Sequence, residues 1–270
     1  MGVGSPLKLV INGNAHEIDV SNVDTLLTVL RDDLGVKSVR GGCDSAQCGS
    51  CTVLLEGKSV KSCSVLALQA NGQSVVTVDG LAEAKGSCSL QSHFARQHAL
   101  QCGFCTPGML LKATEYLDQN ADPDPARIRQ LLRGNLCRCT GYQNIVDAIT
   151  LAAQGEASDK PDSENLLTHS GRVEDSRLLR GEGTFTDDIE LPGQLYAGFL
   201  RSEVACAEIK EIALSALKEL DGVSAVLTEH DVLSDGLASP TCSWQVMDIS
   251  GEPMRSRSRP LLSSTKVKYV

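Results

Sequence analysis

The stretch "GCDSAQCGSCTVLLEGKSVKSC", Gly42–Cys63, sets Cys43, Cys48 and Cys51 in one loop and brings Cys63 in after a short hairpin. "CTVLLEGKSV" reads as a strand that turns at Glu56-Gly57 and returns. Upstream, "LKLVINGNAHEIDV" (residues 7–20) alternates apolar and polar residues on both sides of Asn12-Gly13, the pattern of a second hairpin. "VDTLLTVLRDDLG" then carries Leu26, Leu27 and Leu30 at helical spacing, with Gly35 as its stop. With "QSVVTV" as a further strand, these segments predict a small mixed sheet with one helix. The cysteine-rich loop 41–51 falls between the helix and the sheet's next strand.

The composition limits what those cysteines do. The chain has 270 residues and is 41% hydrophobic, enough for two or three packed domains. Its formal net charge of -9 argues against a nucleic-acid partner, which needs a basic face. No apolar run approaches the ~18 residues of a membrane span. The start, "MGVGSPLKLV", lacks the basic and apolar regions of a signal peptide, so a cytoplasmic location is expected. Eleven cysteines, an odd number, in such a chain favour metal or cluster ligation over disulfides.

Cys43, Cys48, Cys51 and Cys63 follow C-x4-C-x2-C with a distant fourth thiol, the plant-type ferredoxin ligand run for a [2Fe–2S] cluster. Gly41, Gly42 and Gly49 let backbone amides approach the sulfurs. A four-thiolate zinc site is the alternative, but zinc favours paired C-x2-C knuckles. A second group, Cys102, Cys105, Cys137 and Cys139, follows C-x2-C and then C-x-C. Here spacing alone leaves zinc open.

From about Ser87 the period becomes helical. Leu90 and Phe94 mark one helix, Leu110, Ala113 and Leu117 a second, Ile128 and Leu131 a third, and Ile145 and Ile149 a fourth. Both "FCTPG" (104–108) and "RCTGY" (138–142) set Cys-Thr before a helix. Thr106 and Thr140 are therefore expected as N-caps, with Pro107 in a first turn. Two helix N-termini meeting at these cysteines favour an anionic centre between them. "QGEASDKPDSEN", 154–165, reads as a linker. Beyond it, "QLYAGFL" is strand-like and "ALSALKEL" helix-like. Cys88, Cys206 and Cys242 are expected as plain buried thiols, and Trp244 as packing.

"GCDSAQCGSCTVLLEGKSVKSC", "QCGFCTPGMLLKA" and "GNLCRCTGYQNIVDAI" together closely resemble the iron–sulfur subunit of the molybdenum hydroxylases, the xanthine dehydrogenase and aldehyde oxidoreductase family. The resemblance covers about residues 5–153. It implies an α+β chain: a β-grasp, ferredoxin-like [2Fe–2S] domain over 1–83, then a four-helix [2Fe–2S] domain over 84–153. It also implies a cluster, not zinc, at the second group, and a contact from Gln101 to the pterin of a molybdenum cofactor. "GRVEDSRLLRGEGTFTDDIELPGQLYAGFLRS" resembles the opening of the family's molybdopterin-binding large subunit. Residues 166–270 are accordingly expected to be an incomplete, hammerhead-like α/β part of it. The "RSEVACAEI" loop departs from the Arg-Ser-Pro-His-Ala-His-Ala of many relatives.

The resemblance implies an oxidoreductase component that passes electrons through two [2Fe–2S] clusters away from a molybdenum site oxidising an aldehyde or N-heterocycle. Its partners would be the large subunit or its remainder, and a flavoprotein subunit or other acceptor. No catalytic residue is assigned to this chain. The competing expectations are a stand-alone ferredoxin-like carrier and a truncated or split gene product.

Overall fold

The structure, a computed structural model, describes residues 4–81, 87–120, 124–154, 171–237, 239–240, 244, 246–254 and 259–268. The chain divides into two compact units, Met1–Ile189 and Glu190–Val270. The expected linker, 154–165, lies outside the described residues except for Gln154.

In the first unit, β1 (Ser5–Ile11) and β2 (Asn14–Val20) pair antiparallel with Ile11 opposite Asn14. The turn residues Asn12 and Gly13 both have positive φ, 49° and 85°, as a two-residue hairpin turn requires. Thr25 then caps α1 (Leu26–Thr28): its hydroxyl accepts from the Thr28 amide at 3.1 Å. The helix loosens into a π-turn over Val29–Asp33, and Gly35, at φ 70°, stops it.

β3 (Thr52–Leu55) and β4 (Lys58–Lys61) form the second hairpin, and β5 (Ser74–Val76) completes a sheet of order β2-β1-β5-β3-β4. β5 runs parallel to β1, the rest antiparallel. Leu7, Leu9, Val53 and Val75 of this sheet bury against Leu26 and Leu30 of the helical turn.

β3 serves two cores because successive strand residues face opposite ways. Val53 belongs to the sheet's own core, whereas Leu54 joins the helical one. That second core is built by α2 (Val78–Leu81), α3 (Ser87–Arg96), α4 (Thr106–Gln119), α5 (Pro125–Leu131) and α6 (Gln143–Ala153). Phe94, Met109, Leu110, Ile128, Ile145 and Ile149 are fully buried in it. At about 1.5–3 kcal/mol per large apolar side chain removed from water, such a set holds the four expected helices together.

The same core takes Leu178 and Leu179 from α7 (Asp175–Leu179). Residues 171–189 thus pack with the cysteine-bearing half, although the sequence alone groups them with the residues beyond 189.

The second unit has little regular structure. β6 (Ala207–Glu208) pairs antiparallel with β7 (Lys266–Val267), and α8 (Ser215–Lys218) and α9 (Glu229–Ser234) are short. The strand expected at "QLYAGFL" does not form: 194–200 is unpaired and exposed, with Tyr196 and Leu200 at 88% and 93%. A strand needs a neighbour for its backbone groups, and the described part of this unit supplies none there. Trp244, expected as packing, is 76% exposed.

Candidate cluster-binding loops

The two cysteine groups lie in loops that touch across the seam between sheet and helices. Gly49 follows Cys48 with φ 73°, and a Cβ there would overlap the Gly134 carbonyl oxygen. A Cβ on Gly108 would overlap the Gly49 carbonyl oxygen in turn. Only glycine fits this double approach. Asn135 is buried and fastens it, its Nδ2 donating to the Gly49 carbonyl (3.0 Å) and to Thr52 Oγ1 (3.3 Å). The Leu136 amide donates to the Cys48 carbonyl at 2.8 Å. One hydrogen bond and one peptide unit therefore separate Cys48 of the first group from Cys137 of the second.

Within each group the thiols come in pairs. The Cys48 amide donates to Cys43 Sγ at 3.3 Å, and this contact, with Ser45's, lowers the Cys43 thiol to about 6. Cys51 is buried and meets Cys63, and burial pushes its thiol up to about 11. In the second group Cys105 meets Cys137, and Cys102 meets Cys139, so each pair takes one thiol from each loop. Burial raises both Cys102 and Cys105.

Cys137 goes the other way. Burial opposes its ionisation, but the Thr140 hydroxyl (3.1 Å) and amide (3.4 Å) donate to its sulfur and lower it. Donors aimed at sulfur suit a site meant to carry negative charge.

The expected caps are corrected here. Thr106 is the first residue of α4, not its cap, and no side chain caps that helix end, although Pro107 does sit in its first turn. Thr140 lies before α6, whose flanking residue is Tyr142 at φ 71°. Its hydroxyl is committed to Cys137 and also accepts from the Tyr142 amide at 3.2 Å. Tyr142 closes the turn, its hydroxyl accepting from the Cys137 amide at 2.9 Å. An Xaa-Cys-Thr sequence suggests a cap; only the folded loop shows the hydroxyl turned to sulfur.

Gln101 is exposed beside exposed Cys102, and its carbonyl accepts from Arg172 Nη2 at 2.7 Å. Cys206, expected buried, is exposed. The Cys88 side chain and Cys242 lie outside the described residues. Sequence reading missed Arg40 and Asp188, which carry no spacing signal. Both are buried next to the loops, with side chains 1% and 6% exposed.

Three family models match the chain: a 2Fe-2S iron-sulfur cluster binding domain over 9–90, a [2Fe-2S] binding domain over 77–150, and the a/b hammerhead domain of aldehyde oxidase and xanthine dehydrogenase over 180–252. The chain is 45% identical over 151 residues to the nicotine 6-hydroxylase small subunit of Paenarthrobacter nicotinovorans, covering 56% of this chain and 90% of that protein. The chain belongs to the molybdenum hydroxylase family. It is 34% identical over 240 residues to the aldehyde oxidoreductase of Megalodesulfovibrio gigas, 83% of this chain but 26% of that one. The solved aldehyde oxidoreductase of Desulfovibrio desulfuricans superposes with a TM-score of 0.76 at 30% identity, over 97% of this chain and 30% of that. Quinoline 2-oxidoreductase from Pseudomonas putida 86 matches 57% of this chain with a TM-score of 0.54 and 41% identity. Within the family this chain is the iron–sulfur, electron-transfer component, joined to a segment that matches the hammerhead domain over 180–252. Among the described residues no helix is long and apolar enough to cross a membrane.

Proposed function

We propose that Cys43, Cys48, Cys51 and Cys63 hold one [2Fe–2S] cluster, and Cys102, Cys105, Cys137 and Cys139 the other. The observation that carries this reading is the close approach of the two cysteine loops, with amide and hydroxyl donors turned to Cys43 and Cys137 sulfur. The clusters, when bound, supply reversible one-electron steps at low potential. The residues around them orient the thiolates, exclude water at Cys51, and hold the two loops one hydrogen bond apart through Leu136 and Cys48.

The exposed rim of Gln101, Cys102 and Cys139 is the face we assign to the molybdenum–pterin cofactor of a large subunit, with Gln101 as the pterin contact. Electrons would leave an aldehyde or N-heterocycle at that cofactor and reach a flavoprotein subunit or another acceptor through the Cys43 side. We place domain boundaries at 1–83 and 84–153, with 154–165 as linker, and start the hammerhead-like part only after 171–189, a strap lying back on the iron–sulfur half. The chemistry suits the cytoplasm, where thiols stay reduced.

Reduced protein should contain about four irons per chain and give two distinct EPR signals. Cys139→Ala should erase one signal and leave the other nearly intact. Loss of the Cys43-side signal instead, or stoichiometric zinc in place of iron, would reject the ligand assignment.

A further inference from the structure

Arg40 stands three residues before Cys43, yet its side chain points to the second cysteine loop and to the strap. It is 1% exposed. Its guanidinium carbon lies 4.2 Å from the Phe185 ring centroid and 5.9 Å from that of Phe104, the residue just before Cys105. The two rings meet edge to face at 5.2 Å. Nη2 donates to the carbonyls of Gly181 and Gly183, both at 3.1 Å. Asp188 Oδ2 approaches Nη1 at 3.7 Å, while its other oxygen accepts from Arg31 at 2.7 Å.

This leaves the cation incompletely matched. One carboxylate is shared by two arginines, and Nε and Nη1 of Arg40 have no hydrogen-bond partner in the structure. A buried charge in that condition is costly unless other negative charge lies near. Phe104, toward whose ring Arg40 points, directly precedes Cys105, so the guanidinium faces the second cysteine loop. A four-thiolate cluster on the Cys102 loop carries negative charge and gains more on reduction.

We propose that Arg40 is a positioning residue for redox poise: its buried guanidinium, fixed by the 181–188 strap, favours the reduced state of the cluster held by the Cys102 loop. This rests on the ligation proposed above. Because Gly181, Gly183, Phe185 and Asp188 all come from the strap, docking of 171–189 and the potential of that cluster are linked. A nearby cation raises a reduction potential, and a nearby anion lowers it.

The test is an EPR-monitored redox titration of the full cluster-loaded chain as wild type, Arg40→Met and Asp188→Asn. Cys139→Ala identifies which signal belongs to the Cys102 loop. The expected result is a lower midpoint for that signal in Arg40→Met and a higher one in Asp188→Asn, with smaller shifts in the other signal. Packing damage alone would move both variants the same way, so same-direction shifts, or no shift in either, overturn the proposal. Should Arg40→Met fail to load iron, Asp188→Asn decides by itself: an upward shift supports the proposal, and anything else rejects it. If Cys139→Ala erases no single signal, the ligand assignment fails and takes this inference with it.

Discussion

The Thr140 hydroxyl, 3.1 Å from Cys137 Sγ, is a sulfur donor rather than a helix cap. Thr140→Ala should therefore cost only about 1 kcal/mol of stability, the net worth of one hydrogen bond. It should lower the midpoint of the signal that Cys139→Ala erases, because a lost donor favours the less negative oxidised state. Thr140→Ser should restore the wild-type value, and redox titration of both variants checks this. Gly49 makes a steric demand instead. Alanine at its φ of 73° costs about 1–2 kcal/mol for the left-handed backbone alone, and its Cβ would overlap the Gly134 carbonyl. Gly49→Ala should lower the thermal midpoint and the iron occupancy together, measured by melting and metal analysis. A variant that loaded fully and melted like wild type would mean the two loops are not held that close.

At the scale of elements, the strap works by several small anchors. Leu178 fills the space beside Gly103, where a Cβ would lie 2.8 Å from its Cδ2. Gln91 Nε2 donates to the Leu179 carbonyl at 2.9 Å, and Arg172 reaches the Gln101 carbonyl. Asp188 is the charged anchor. Burial would raise its carboxyl, but the Arg31 hydrogen bond, the Phe185 amide and Arg40 outweigh that and hold it below the ordinary carboxylate value. A depressed folded-state pKa contributes stability above the unfolded value, about 3.9 for Asp, and loses it as pH falls through the folded value. The urea midpoint of wild type should thus drop more steeply below about pH 4 than that of Asp188→Asn, which lacks this contribution at every pH. Parallel pH profiles for the two proteins would show that Asp188 does not anchor the strap through its charge.

Across the whole molecule the two units differ in kind. The first has two buried cores joined through β3, whereas the second exposes Leu195, Tyr196, Phe199, Leu200 and Ile249. Residues 190–206 are exposed and without regular structure, which is where proteases cut. Brief proteolysis should leave an iron-loaded core that includes the strap and ends near 189. Intact-mass measurement of the surviving core checks this, and a core ending near 153 with the strap lost would show that 171–189 is not held.

What the residues determined by themselves is local or tied to spacing. Asn12-Gly13 and Glu56-Gly57 turn the chain because their own backbone preferences allow little else, and the apolar periods of "LKLVI" and "ITLAA" choose strand and helix. Cys43, Cys48, Cys51 and Cys63 could be read as a candidate ligand run because such runs repeat a fixed spacing, whereas spacing alone left Cys102, Cys105, Cys137 and Cys139 open between cluster and zinc. Tertiary structure alone decided where long-range partners meet. Arg40 and Asp188 are 148 residues apart, so no periodicity links them. Thr140 had two acceptable acceptor and donor roles, and the loop geometry set by Tyr142 and Asn135 chose sulfur. Residues 171–189 were grouped by sequence with the part beyond 189, because Leu178 and Leu179 would suit any apolar surface; the helical core, with Gly103 leaving room, took them instead.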